Sequence, residues 1–289
     1  MTSNKTKRPE ITNSQRPESK TVDVYDEYNQ VKSFQITGEL PLTIYLNKKE
    51  VVTLMTLGHY PESLVIGYLR NQGFVSKLSD IHSVQVDWDT NSAAVKSTSN
   101  LDEFENKLTH RVVTSGCGQG TTFGGIWDDL KDKNLQTTKL RQSSIYKILK
   151  LLHDKNEIYR KSGAVHGCAI CDENNIIDFI EDVGRHNAVD AIAGNMWLNN
   201  IESTNKIFYT TGRLTSEMVI KVAQMNISYL ISRSGITEMG LNVAKETGVT
   251  LIGRAKGRHF LVYNGHQNII YDKKPEPRPE GSSDVWKRR

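Results

Sequence analysis

The stretch TSGCGQGTTFGG, Thr114 to Gly125, sets one cysteine, Cys117, among five glycines. A cysteine attacks as thiolate, and its pKa falls beside backbone N–H dipoles or cations. Glycines allow successive N–H groups to converge on one point as an anion nest. THRVVT reads as a strand that feeds the loop and gives it a fixed base. The composition suits a thiol that reaches outward and holds negative charge on sulfur. A tight turn with an incidental cysteine suits it equally well. Other uses of the loop fit less well. It lacks the Gly-Lys-Ser/Thr ending of a P-loop, and Gly116, Gly118 and Gly120 are not followed by the helix of a dinucleotide fingerprint. A protease-type thiol needs a histidine base, and His110 lies roughly 20 Å away along an extended chain.

HGCAICD contains Cys168 and Cys171 in a Cys-x-x-Cys spacing that invites a zinc or redox reading. On a strand, residues three apart point to opposite faces, so the pair cannot grip one metal. His-x-Glu followed by Pro-Cys-x-x-Cys, the zinc deaminase pattern, is not present. These two thiols are therefore expected as buried free cysteines, and no metal site is expected.

EDVGRHNAVD places Arg185 and His186 where a strand meets a helix, and TTGRLTSEM and SRSG repeat the arrangement with Arg213 and Arg233. Ligands of open α/β sheets sit at strand ends, and a helix N-terminus favours an anion. Any one of these is an ordinary capped turn. Together they predict an anion pocket of Arg185, His186, Arg213 and Arg233 on one sheet edge. RAKGRH, Arg254 to His259, adds cationic side chains around Gly257; a basic hairpin turn is the plainer account.

The elements that must position these groups fall into two rhythms. PLTIYLN, EVVTLMTL, HSVQVDW and SAAVKS read as strands around a helix that begins at Pro61 and ends by Gly73. The first hairpin is expected to turn at Lys48-Lys49. After SSIYKILKLLHDK, an amphipathic helix, strands alternate with helices, as in an α/β sheet covered by helices. The helix at RHNAVDAIAGNMWLNN is read with Val189, Ile192, Met196 and Trp197 as its apolar face. The expected organisation is a disordered tail over 1–20, a smaller strand-rich α+β domain over 21–125, a linker over 126–142, a larger α/β domain over 143–272 and a disordered tail over 273–289.

The whole chain of 289 residues is 37% hydrophobic, with three cysteines and a net charge of +4. Too few cysteines exist for a disulfide framework, and the mild charge argues little for nucleic acid. No apolar run approaches the ~20 residues of a membrane helix, and the N-terminus has no secretory pattern. A cytoplasmic protein without membrane or nucleic-acid partners is expected.

The strings TSGCGQGTTFGG, GAVHGCAICD, EDVGRHNAVD, TGRLTSEMV, SRSG and LIGRAKGRHFLVY occur in an order that resembles the formate dehydrogenase accessory sulfurtransferases (FdhD). The resemblance spans roughly Glu39 to Tyr263. It implies a protein that receives sulfane sulfur from a cysteine desulfurase. The sulfur passes to the molybdenum (or tungsten) bis-guanine-dinucleotide cofactor of formate dehydrogenase. It implies a larger domain similar to the cytidine deaminase fold without its zinc, and leaves room for a homodimer. By resemblance Cys117 carries the persulfide, and Arg254, Ala255, Lys256, Gly257, Arg258 and His259 match the cofactor-binding stretch. The family's common loop is Cys-x-x-Cys, but here the second position is Gly120. That departure closes the route in which a second loop thiol would attack the persulfide. A cofactor-binding chaperone in which Cys117 has no covalent role is the alternative function.

Overall fold

The computed structural model describes residues 8–99, 112–113, 120–121, 130, 135 and 137–273. The chain opens with β1 (Glu10–Ile11) and a hairpin of β2 (Ser19–Tyr25) and β3 (Val31–Thr37), followed by β4 (Leu40–Leu46) and β5 (Lys49–Thr56). Helix α1 (Pro61–Asn71), β6 (Ile81–Asp87) and β7 (Ser92–Ser97) complete a five-stranded sheet of order β1-β6-β7-β4-β5. The β4–β5 turn falls on Asn47-Lys48, one residue earlier than expected. Both residues take positive φ, +48° and +73°, and asparagine tolerates that region better than most residues. Helix α1 starts at Pro61 and stops as expected at Gly73, where φ is +69° and the amide of Phe74 returns to the carbonyl of Leu69.

A short ladder of β8 (Val112–Val113) and β9 (Gly120–Thr121) precedes the second half. There β10 (Leu140–Arg141) leads into α2 (Gln142–His153) and α3 (Glu157–Ser162). Then come β11 (His166–Cys171), β12 (Ile176–Asp182), α4 (Arg185–Leu198), β13 (Ile207–Thr210), α5 (Ser216–Gln224), β14 (Tyr229–Ser232) and α6 (Glu238–Thr247). The hairpin β15 (Thr250–Lys256) and β16 (His259–Asn264) is followed by β17 (Ile269–Ile270), which pairs with β10. The main sheet has six strands in the order β12-β11-β13-β14-β15-β16. Its centre, β13-β14-β15, is parallel, whereas β11, β12 and β16 enter antiparallel ladders.

Alternation along these strands separates two apolar layers. Phe208, Leu230 and Leu251 sit in register and pack with the helices α4, α5 and α6. Ile207, Tyr209, Tyr229, Ile231 and Ile252 face the other way, onto Ile145, Ile148, Leu149 and Leu152 of α2. The first layer does not stop at the second half: it runs without a break through Leu64, Val65 and Leu69 of α1 into Leu42, Ile44, Val84 and Val95 of the first sheet. The two sheets thus share one core, with α1 and α4 between them. Helix α4 is accordingly buried almost all round, and Val189, Ile192 and Met196 are only part of its buried surface. The α1–α4 crossing needs glycine on both helices. A Cβ on Gly67 would lie 1.7 Å from the Asp190 carbonyl oxygen, and one on Gly194 would lie 1.9 Å from that of Ser63.

The expectation of a disordered stretch over 1–20 is corrected from Arg8 onward. Polar side chains and pairing at the sheet edge fix this segment, with Pro9 buried between them. Glu62 accepts hydrogen bonds from the Thr12 hydroxyl at 2.8 Å and the Ser14 amide at 2.9 Å, Arg8 donates to the Leu198 carbonyl, and β1 adds to the edge of the first sheet. The expected C-terminal tail lies outside the described residues beyond Lys273.

Candidate functional site

Strand β12 runs antiparallel to β11, and β11 antiparallel to β13, so β12, β13, β14 and β15 all point the same way. Their carboxyl ends lie along one edge with the amino end of β11, His166, between them. The turns that follow carry Arg185, Arg213, Arg233 and the 254–258 segment. The shared edge expected from the sequence is therefore formed, although an oppositely directed strand separates β12 from β13.

Beside this edge is a cleft of about 1260 Å³. One wall is α2, through Tyr146, Lys147, Lys150 and His153; the other is Arg213, Arg233 and the turn Arg254, Ala255, Lys256, Gly257 and Arg258. His259 follows that turn at the start of β16 and is partly buried. A bulge between Gly253 and Lys256 shapes the turn. Arg254 takes φ +50° and its amide bonds the Ser234 carbonyl at 2.8 Å, so the 254–258 turn is tied to the Arg233 turn. A non-glycine residue in this region costs free energy and needs such support. Gly257, at φ +59°, completes the reversal.

The polar string after β12 has a different job from the one its composition suggests. Glu181 accepts from the amides of Ile158 and Tyr159, both at 3.0 Å, and so caps α3. Asp182 accepts from the Thr56 hydroxyl at 2.6 Å, the Leu57 amide at 3.3 Å and the Asn187 amide group at 3.0 Å. Asn187 also donates to the Met55 carbonyl at 2.6 Å. Asp182 and Asn187 thus fasten the end of β5 to the start of α4. Burial pushes the Asp182 carboxyl up to about 6, against the opposing pull of these hydrogen bonds. His186 does not face the cleft, which corrects its place in the predicted anion pocket. It is 2% exposed, and its Nδ1 lies 3.2 Å from Glu217. That carboxylate is 3.7 Å from Lys221, which pairs with Asp190 at 2.7 Å. The helix start turns His186 inward, into a buried charged network between α4 and α5.

Arg185 is left at the edge. It is 8% exposed, and its stem lies on Gly212, where a Cβ would come within 2.5 Å of the Arg185 Cδ. His166 holds its Nδ1 3.2 Å from the Thr211 hydroxyl. Burial, and then the charges of Arg185, Arg233, His186 and Arg213, hold its imidazole below the usual histidine range. Arg233 stacks its guanidinium 4.9 Å from the centre of the Tyr159 ring. Sequence reasoning missed His166 and Tyr159 as neighbours of the arginines. The signal for His166 was its place at the first residue of a strand that starts on this edge; Tyr159 offered none.

Cys168 faces α4 and Cys171 faces α2, on opposite sides of the sheet as their spacing predicts. Burial drives both thiols up to about 12, so neither is a thiolate at neutral pH. Cys117 lies outside the described residues; the ladder Val112–Thr121 and Val113–Gly120 flanks its segment.

These features define a mixed α/β protein with a cationic cleft at the carboxyl edge of its main sheet. Comparison with known proteins gives the assignment a name: the chain belongs to the FdhD/NarQ family, whose model matches residues 37–270. It is 31% identical over 239 residues to the sulfur carrier protein FdhD of Bacillus pumilus, covering 82% of this chain and 91% of that one. To the protein of the same name from Bacillus subtilis it is 30% identical over 245 residues, covering 84% and 93%. A crystal structure from Desulfotalea psychrophila, described as a formate dehydrogenase accessory protein, superposes with a TM-score of 0.70 at 27% identity over 88% of this chain and 100% of that one.

Proposed function

We propose that this protein is a sulfurtransferase of the cytoplasm that carries a persulfide on Cys117. It takes sulfane sulfur from a cysteine desulfurase and delivers it to the molybdenum bis-guanine-dinucleotide cofactor that formate dehydrogenase requires. The observation that carries this reading is the cleft: a guanine-nucleotide cofactor is large and anionic, and the cleft is roomy and lined by Arg213, Arg233, Arg254, Lys256 and Arg258. The relatives named as sulfur carriers support the chemistry. So does elimination among three cysteines, since Cys168 and Cys171 are buried and protonated. We read the second half as the cytidine deaminase-like arrangement, its zinc pattern replaced by this cationic edge.

Loading and unloading balance without another oxidant. The Cys117 thiolate attacks the outer sulfur of the desulfurase persulfide, forms the new S–S bond and releases the desulfurase thiolate. In delivery the acceptor takes the outer sulfur with its own electron pair, the S–S bond breaks, and the Cys117 thiolate leaves. A low thiolate pKa favours that departure. Because Gly120 stands where a second thiol would sit, no disulfide forms on the loop. The 254–259 segment holds the cofactor.

Intact mass after incubation with cysteine and a desulfurase tests the reading. One added sulfur is expected on the wild type and none on Cys117→Ala, and cells with only Cys117→Ala are expected to contain formate dehydrogenase protein without activity. Gly120 also favours a second reading, a non-covalent cofactor chaperone; full dehydrogenase activity with Cys117→Ala would select it.

A further inference from the structure

Among the described residues, the hairpin of β2 and β3 stands uncovered along most of its length. Its strands pair only with each other, so both outer backbone edges are open. The register puts Lys20, Val22 and Val24 on one face, opposite Ile36, Phe34 and Lys32 in turn. The other face is largely polar and bonded within itself: Ser19 donates to Gln35 at 2.6 Å and Ser33 to Asp23 at 2.9 Å. The first face is apolar and open, with Phe34 54%, Ile36 38% and Val24 36% exposed. The hairpin is nonetheless held firmly at both ends. At its tip Asp26 accepts from the amides of Tyr28 and Gln30, at 3.0 Å and 2.9 Å, and pairs with Lys32 at 2.6 Å. At its base the Thr37 hydroxyl donates to that of Ser162 on α3 at 2.5 Å. A two-stranded ribbon with an uncovered apolar face is marginal in water, and open edges accept a further strand. Apart from Thr37, the hairpin lies ahead of the region 37–270 that matches the family.

We propose that this hairpin is a docking arm for an extended segment of a partner protein. The segment adds to the hairpin edge as a third strand and carries an acidic residue followed, at every second position, by apolar ones. Both strands offer the same code to such a segment. β2 reads Lys-x-Val-x-Val over 20–24, and β3 reads Lys-x-Phe-x-Ile over 32–36. Side chains of an added strand alternate as those of its neighbour do. Those on the apolar face therefore stand beside Lys20, Val22 and Val24, or beside Lys32, Phe34 and Ile36. Each lysine favours a carboxylate beside it, and the two positions that follow favour apolar side chains. Backbone pairing supplies affinity and the alternate side chains supply selection. Charge also decides between a partner and a second copy of this chain. The apolar face carries two lysines and no carboxylate. Lys20 enters none of the ion pairs among the described residues, and Lys32, though paired with Asp26, keeps 61% of its side chain exposed. A second hairpin would bring two more lysines to that face, whereas an acidic segment neutralises them. The Thr37–Ser162 bond ties the arm to α3, whose Tyr159 meets Arg233 of the cleft. A docked partner is thus held on an element that borders the cleft, whatever the cleft carries.

Fluorescence anisotropy of labelled synthetic peptides with the full chain tests this. The probes are Thr-Glu-Thr-Val-Thr-Ile-Thr, the same peptide with lysine in place of glutamate, and the glutamate peptide N-methylated throughout, which cannot pair as a strand. The glutamate peptide is expected to bind at least about tenfold more tightly than either of the others and to slow amide exchange along β2 or β3. Phe34→Ser, and Lys20→Gln combined with Lys32→Gln, alter exposed side chains and are expected to keep the wild-type Tm. Phe34→Ser is expected to weaken the glutamate peptide at least about tenfold. The double lysine variant is expected to bind the glutamate and lysine peptides equally. No binding of the glutamate peptide, or equal binding of all three by the wild type, would overturn the docking arm. So would sedimentation in which the wild type is a dimer and Phe34→Ser a monomer, because a second copy would then occupy the face.

Discussion

The carboxyl of Asp182 accepts hydrogen bonds from four groups, Thr56, Leu57, Asn187 and Gly184, yet burial still lifts its pKa to about 6. Its folded value is above its unfolded one, so the native state binds the proton more tightly. The resulting contribution is fully present below the unfolded value of 3.8 and is lost as pH rises through about 6. Asp182→Asn carries no such titration. Urea unfolding of the two proteins from pH 4 to pH 7 is expected to show the wild type losing stability relative to the variant as pH rises. A gap that moves the other way would mean that the four donors outweigh burial. Residues of this kind were only half legible. Arg213, Arg233 and the 254–258 turn could be read because a cation beside a turn at a strand end has few places to point. His186 was misassigned because, one residue into a helix, composition does not say which side faces the core.

Among the elements, α4 is where sequence pattern misleads most. Periodicity picks out Val189, Ile192, Met196 and Trp197, of which Trp197 is only partly buried, but the helix is enclosed by the sheet on one side and α1 on the other, so polar Asp190 and Asn187 are buried too. The cause is the backbone approach at Gly67 and Gly194, which a lone sequence shows only as two unremarked glycines. Gly194→Ala drives a methyl into the Ser63 carbonyl and forces α1 away from α4. Overpacking against backbone is expected to cost about 1–3 kcal/mol or more, read as a lowered Tm in thermal unfolding. Gly67→Ala relieves nothing and strikes the Asp190 carbonyl from the other side. Once the helices have parted for one methyl, the second has less to displace, so the double variant is expected to lose less stability than the two single losses added together. Most strands of the two larger sheets, by contrast, were legible, because they are set by burial on defined faces: Cys168 and Cys171 part to opposite layers as period two demands. The hairpin of β2 and β3, exposed along most of its length, gave no such signal.

Across the whole molecule, the change of rhythm from strand-rich to alternating strand and helix was legible, but its meaning was not. The sequence suggests two units with a linker. In the fold a single apolar layer passes from Ile44 and Val84 through α1 and α4 to Phe208 and Leu230. Asp182 and Asn187 rivet the end of β5 to the turn that presents Arg185, so the first sheet supports the cationic edge of the second. Long-range packing of this sort leaves no local trace, since each face reads as an ordinary buried face whatever covers it. The arrangement has a consequence for dynamics. If each sheet had its own core, one half could open while the other stayed closed. With a shared core, opening either sheet uncovers the apolar surface of both. Native-state hydrogen exchange is therefore expected to give the amides of Val84 and Val95 the same opening free energy as those of Phe208 and Leu230, equal to that of global unfolding. Two distinct plateaus, one for each sheet, would show separate domains and would uncouple the Asp182–Thr56 contact from the geometry of the cleft.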